Sequence, residues 1–194
     1  MTALQVFNPG HWRGLLAPLS PKHARSPRNV SNVPDPSLPV HQASFQRLCD
    51  AMRVTVGHRP FTVSYIVPGG HEAERIFTNM PAVFPLQDRK PMDPSEWTRM
   101  MDRGERFVAN APDEFGEHFG DLDLIVSIGL GAVLNIPVHD AGRRLGTLNL
   151  LDVSGAYLGL ELERCREFLP LAVEAFRQYE ATPSTPSIPS PPSP

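Results

Sequence analysis

Gly131-Ala-Val-Leu-Asn-Ile-Pro-Val-His-Asp-Ala-Gly-Arg-Arg-Leu-Gly-Thr-Leu-Asn-Leu-Leu-Asp152 reads as two β-strands joined by a tight turn at Asp140-Ala141-Gly142. Gly142 stands where a three-residue hairpin loop needs a left-handed residue, a conformation glycine adopts without a Cβ clash. Successive side chains on a strand point to opposite faces. With that loop, Asn135, Thr147 and Asn149 share one face, while Leu134, Ile136, Val138, Leu148 and Leu150 share the other. The apolar face is suited to carry helices. The opposite face is polar where a plain core would be apolar, which suits a sheet that holds a small molecule.

Outward from the hairpin, Phe45, Leu48, Met52 and Val56 recur at spacings of three and four and predict one face of a helix over about 41–57. Phe61-Thr-Val-Ser-Tyr-Ile66 is rich in β-formers and precedes a turn signal at Pro68-Gly69-Gly70; Glu74-Arg-Ile-Phe-Thr-Asn79 returns as a second strand. A proline-rich connection through Arg89, Lys90 and Pro91 leads to a short helix. Its expected N-cap is Asp93, with Pro94 at the first helical position and Glu96 at the third. Glu105-Arg-Phe-Val-Ala-Asn110 reads as a third strand, and 113–126 as short helical turns.

The last helix carries the longest periodic signal. Leu162, Cys165, Leu169, Ala172, Phe176 and Tyr179 follow a 3-4-3-4-3 spacing, broadened by Phe168, Leu171 and Ala175. Pro170 falls inside this run and is expected to kink or interrupt the hydrogen-bond ladder. Such a stripe covers the protein's own sheet, or it also joins the first and last helices of two subunits into a homodimer.

Proline marks the domain edges. Of 22 prolines, seven lie in 1–40 and six in 181–194, leaving nine for the 140 residues between. The proline-rich segment 1–40 and the proline- and serine-rich tail 181–194 cannot bury enough apolar surface to offset chain entropy and are expected to be largely disordered, leaving one domain over 41–180. A formal net charge of −3 gives no electrostatic footprint for nucleic acid. No apolar run approaches the roughly 18 residues of a membrane span, and the N-terminus lacks a signal-peptide layout. Two cysteines, Cys49 and Cys165, make no disulfide framework, so a cytoplasmic setting is the expectation.

The hairpin residues Val133-Leu-Asn-Ile-Pro-Val138, the turn Asp140-Ala-Gly142 and Leu145-Gly-Thr-Leu-Asn-Leu150, with Tyr157 and the closing helix, resemble the GAF domain family of small-molecule sensor modules over about 41–180. The resemblance implies an α+β fold: a central antiparallel sheet of five to six strands, terminal helices on one face, and a ligand pocket under loops and short helices on the other. It does not fix the ligand, and no cofactor is assigned. The family's bilin-binding branch attaches its chromophore through a cysteine near the pocket, and its free methionine sulfoxide reductases need converging cysteines. Both cysteines here fall at core-facing helix positions, which argues against either chemistry.

The candidate ligand-binding residues are Asn135, Asn149, Thr147 and Ser64 on the polar face, with Arg89, Trp97, Phe84 and Phe107 around them. A pair of side-chain amides can orient a polar ligand, or else satisfy nearby loop backbone. Arg89 offers a planar fork that matches a carboxylate, or pairs with Asp88 on the surface. Trp97 offers a flat apolar wall. Lys90 reads as solvated, and so does the run containing Glu117, His118, Asp121 and Asp123, whose spacing does not suit a metal. Ser127-Ile-Gly-Leu-Gly131 lacks the context of a nucleophile elbow or phosphate loop. Neither a catalytic nor a metal site is expected. The sequence therefore points to a stand-alone module that binds a small polar or carboxylated molecule and signals through a partner or dimer. The alternatives are an enzyme on the same scaffold and a pocketless dimerisation scaffold.

Overall fold

The computed structural model describes residues 38–159 and 162–182. The expected disordered ends, 1–40 and 181–194, fall almost wholly outside the described residues. The hairpin forms as β5 (Ala132–Asp140) and β6 (Arg143–Asp152), and its loop is one residue shorter than the spacing predicts. Ala141 and Gly142 alone separate the strands, at φ 48° and 80°. Two successive left-handed residues are what a type I′ turn requires, because its twist matches that of the strands.

The remaining strands complete a six-stranded antiparallel sheet in the order β3-β2-β1-β6-β5-β4. β1 is Phe61–Ile66, β2 is Glu72–Thr78, β3 is Arg89–Pro91 and β4 is Phe107–Ala109. β3 lies within what the sequence reads as a connection; it is an edge strand, where a terminal proline removes no needed donor. Two helices, α1 (Val40–Thr55) and α4 (Leu169–Ala181), cover one face. Phe45, Leu48, Met52, Ala172 and Phe176 bury against Val63, Leu134, Ile136, Leu148 and Leu150 in one apolar cluster. At Gly146 the packing leaves no room for a side chain, since a Cβ there would collide with the Ser64 carbonyl and the Phe176 ring.

Pro170 interrupts the last helix as expected, and does so by starting α4: a 3-10 segment, Leu162–Phe168, precedes it, and Pro170 occupies the first α-turn, where its missing N–H costs nothing. The seam that suggests a homodimer is occupied within one chain, with Cys165, Ala172 and Phe176 all in the apolar cluster. Ion pairs tie the hairpin tip to α4: Arg177 Nε to Asp140 Oδ2 at 2.7 Å, and Arg143 Nη2 to Glu180 Oε1 at 2.8 Å. Among the described residues no helix is long and apolar enough to cross a membrane.

Over the opposite face lie α2 (Glu96–Asp102), α3 (Leu122–Ser127) and two 3-10 turns, Pro112–Glu114 and Gly116–His118. α2 is capped by Ser95 rather than Asp93: the Ser95 hydroxyl accepts from the Thr98 N–H at 3.1 Å, which leaves Pro94 outside the helix. A second apolar cluster, with Phe84, Phe115, Ile125, Val133 and Leu151, anchors α3 and the two 3-10 turns.

Two β-bulges break strict alternation. In β6, Gly146 pairs with Val138 and Arg144 with His139, leaving Leu145 as the extra residue. In β2, Phe77 pairs with Val63 and Arg75 with Ser64, leaving Ile76 extra. Leu145, Ile76 and Phe77 all join the helix-side cluster. Beyond each bulge the faces exchange, which is the usual effect of one inserted residue.

Candidate ligand-binding site

The antiparallel register sets Asn135 opposite Asn149, Thr62 opposite Asn149 and Ser64 opposite Thr147. Their side chains form a relay. The Asn135 amide nitrogen donates to Asn149 Oδ1 at 2.9 Å; Asn149 Nδ2 donates to Ser64 Oγ at 3.2 Å and Thr62 Oγ1 at 3.3 Å. From above, the Trp97 indole N–H of α2 donates to Asn135 Oδ1 at 3.3 Å. The amides therefore bond chiefly to side chains of the face itself, not to loop backbone. Asn135 is only 1% exposed, yet each of its polar atoms has spare capacity for a further hydrogen bond.

These residues floor a cavity of ≈ 340 Å³, within the size range of small-molecule sites. Six of the eight candidate residues line it: Asn135, Asn149, Thr147, Ser64, Trp97 and Phe84. Arg89 and Phe107 do not. Alternation along β3 turns Arg89 away from the cavity, and its guanidinium holds Glu74 Oε2 at 2.8 and 2.7 Å through Nε and Nη2. Phe107 stands behind the wall, its ring 5.6 Å from His118 and 6.4 Å from Phe119, which do face the cavity.

Several lining residues lie outside the set that the sequence singles out. Thr62 lies two positions before Ser64 and shares its parity, a signal that was legible. Lys90 and Asp121, read as solvated, close the cavity rim together at 3.0 Å. Arg75 and Arg144 reach the cavity only because the two bulges re-aim them. Adjacent residues that both need the apolar side, such as Ile76 and Phe77, are the trace such a bulge leaves in a sequence.

The two arginines differ in how they are satisfied. Arg75 Nη1 donates to Asp88 Oδ2 at 2.9 Å and to the Pro85 carbonyl at 3.0 Å, and its guanidinium lies 5.6 Å from the Phe84 ring centre. Asp88 thus pairs with Arg75 rather than with Arg89. The Arg144 side chain is 5% exposed, and its carboxylate partner Asp102 is 58% exposed, with Nε 3.2 Å from Oδ1. That approach is not aligned as a hydrogen bond, and Nη1 has no partner either. Burial pulls the Arg144 pKa down, opposed by the Asp102 charge. Donors buried and unmade in this way cost about 1–3 kcal/mol. Arg144 also borders a shallower groove that runs past His71, Arg99 and Asp102.

Both cysteines lie in the helix-side cluster, across the sheet from the cavity. Burial pushes the Cys49 thiol up to about 11 and raises that of Cys165, so neither is a ready thiolate nucleophile. Among the described residues no three His, Cys, Asp or Glu side chains converge as metal ligands would. Gly129, at φ 79°, turns the chain from α3 towards β5, in keeping with a turning role for the glycines of 127–131.

No family model and no curated protein matches the sequence. Solved structures do. The GAF domain of a two-component sensor histidine kinase from Bacillus halodurans superposes with a TM-score of 0.52 at 14% identity, over 71% of this chain and 95% of that one. A GAF domain/HD domain protein from Geobacter sulfurreducens gives 0.53 at 14% identity, over 71% and 90%. The second GAF domain of DevS from Mycobacterium smegmatis gives 0.52 at 16% identity, over 73% and 96%. The six-stranded antiparallel sheet, with terminal helices on one face and a roofed polar face on the other, is a GAF fold.

Proposed function

We propose that this GAF-like module binds a small polar or carboxylated molecule over the polar sheet face, in a cytoplasmic sensory or regulatory role. The observation that carries the reading is the cavity of ≈ 340 Å³ floored by a hydrogen-bonded side-chain relay, where a purely structural sheet face would bury apolar residues. Trp97 and Phe84 add apolar walls, and α1 and α4 seal the far side of the sheet. The likeness in fold to GAF domains of sensor proteins supports a sensory role. Signalling then requires a ligand that binds one state of the lid, or of a dimer or partner complex, better than another.

The test is a thermal-shift screen of small carboxylates, amino acids and nucleotides on gently purified protein. A ligand at about 100 times its dissociation constant adds about 2.7 kcal/mol of stability. Asn135→Leu is expected to abolish the shift while the protein still melts cooperatively. A protein whose melting responds to no compound in the screen would sink the reading.

A further inference from the structure

We propose that the ligand is a small organic anion, an apolar or aromatic body carrying a carboxylate or phosphate group, and that Arg144 seats that group. The inference rests on the cavity being a ligand site. Arg144 lines the cavity with its side chain 5% exposed, and neither its Nε nor its Nη1 has a hydrogen-bond partner. Its one ion pair, with Asp102, reaches out to a carboxylate that water already solvates. A guanidinium presents five donors in a rigid plane, and carboxylate and phosphate oxygens accept them two at a time.

The other charges around the cavity are paired or solvated, although Arg75 Nε and Asp121 Oδ1 are each buried without a hydrogen-bond partner. Arg75 is held by Asp88, and Lys90 by Asp121. Asp93 and Glu117 stand exposed at the rim, where water screens them. Arg144 is thus, among the described cations of the wall, the one that is buried with two donors unmade and no aligned hydrogen bond to a carboxylate. Such a group selects by refusal as much as by attraction. A neutral amide of the same shape offers one acceptor oxygen and no charge, whereas an anion offers two acceptor oxygens and the charge that the guanidinium lacks. Trp97 and Phe84 then flank the ligand's body, and the Asn135 amide has hydrogen-bonding capacity left for it.

The experiment uses the full chain carrying Trp12→Phe, so that Trp97 is the remaining indole. Phenylacetate, phenyl phosphate and the uncharged phenylacetamide serve as probes at millimolar concentration, followed by Trp97 emission and melting temperature. Trp97 lines the cavity and not the neighbouring groove, so its emission reports binding in the cavity. At least one anion is expected to bind about tenfold more tightly than the amide, as loss of a charge-assisted pair implies. The tighter anion distinguishes carboxylate from phosphate. Arg144→Gln should erase the preference and Arg144→Lys retain part of it. Asp102→Asn, at an exposed position, should strengthen anion binding by freeing the guanidinium. Should the amide bind as tightly as the anions, or Arg144→Gln keep the preference, the anion proposal falls while the cavity reading stands. Silence from all three probes also overturns the anion proposal, and the wider screen then decides the cavity reading separately.

Discussion

Asn135 and Asn149 face one another across β5 and β6, and the amide of the first donates to the carbonyl oxygen of the second at 2.9 Å. This single bond joins the lid to the middle of the sheet, because Asn135 also receives the Trp97 indole and Asn149 continues to Ser64 and Thr62. Replacing either amide by leucine strands its partners in a buried setting, at a cost of about 1–3 kcal/mol. The double replacement should cost less than the sum of the singles, with a coupling of about 0.5–3 kcal/mol read from urea unfolding. Strict additivity would mean that the relay is not a unit.

α4 packs directly onto the sheet backbone at Gly146, where the Phe176 ring leaves no room for a Cβ. Gly146→Ala forces a methyl group into the Ser64 carbonyl and the Phe176 ring, and overpacking of this kind costs about 1–3 kcal/mol. The expected result is a lower urea midpoint with an unchanged slope. An unchanged midpoint would show that both β1 and α4 give way freely at this point.

Ala141 holds φ at 48°, a conformation that costs an L-residue other than Asn, Asp or Gly about 1–2 kcal/mol. Ala141→Asn installs the Asn-Gly pair that type I′ turns favour. The substitution should stabilise the protein by about 1 kcal/mol, visible as a higher melting temperature. A decrease would place the turn in another class.

His58 and His41 are both buried, and burial lowers each pKa below 6.5. In the window from the folded pKa up to about 6.5 the unfolded chain therefore binds more protons than the folded one. Their contribution is full above about pH 6.5 and is lost as pH falls through that window, with a slope of up to about 1.4 kcal/mol per pH unit for each histidine. Urea unfolding across this range should show the decline, and His58→Gln should flatten it. A wild-type profile already flat below pH 6.5 would contradict the burial argument.

What the sequence disclosed and what it hid follow one physical division. Between Leu134 and Val138, and between Gly146 and Leu151, the strands alternate without interruption, so the faces of Asn135, Thr147 and Asn149 could be read by counting. Ser64 followed from the same parity, as Thr62 would have. Counting fails where an extra residue is inserted, and Arg75 and Arg144 lie beyond such points. The cap of α2 lies two positions beyond the expected Asp93, because Asp93 and Ser95 are equally good cap residues and only the backbone at Ser95 decides between them. Arg89 escapes such counting for a different reason. Within a connection there is no parity to count, and its orientation emerges only once β3 is paired with β2.

The route by which Arg144 enters the cavity has a consequence for divergence among proteins of this shape. Were the strand regular at this point with Leu145 retained, Leu145 would turn to the cavity face and the guanidinium would cross to the oily side, leaving the hollow short of a positive charge. Ligand preference in this architecture can therefore change through the loss of the bulge alone. Two proteins could share every side chain that touches the hollow's floor and still select molecules of opposite polarity.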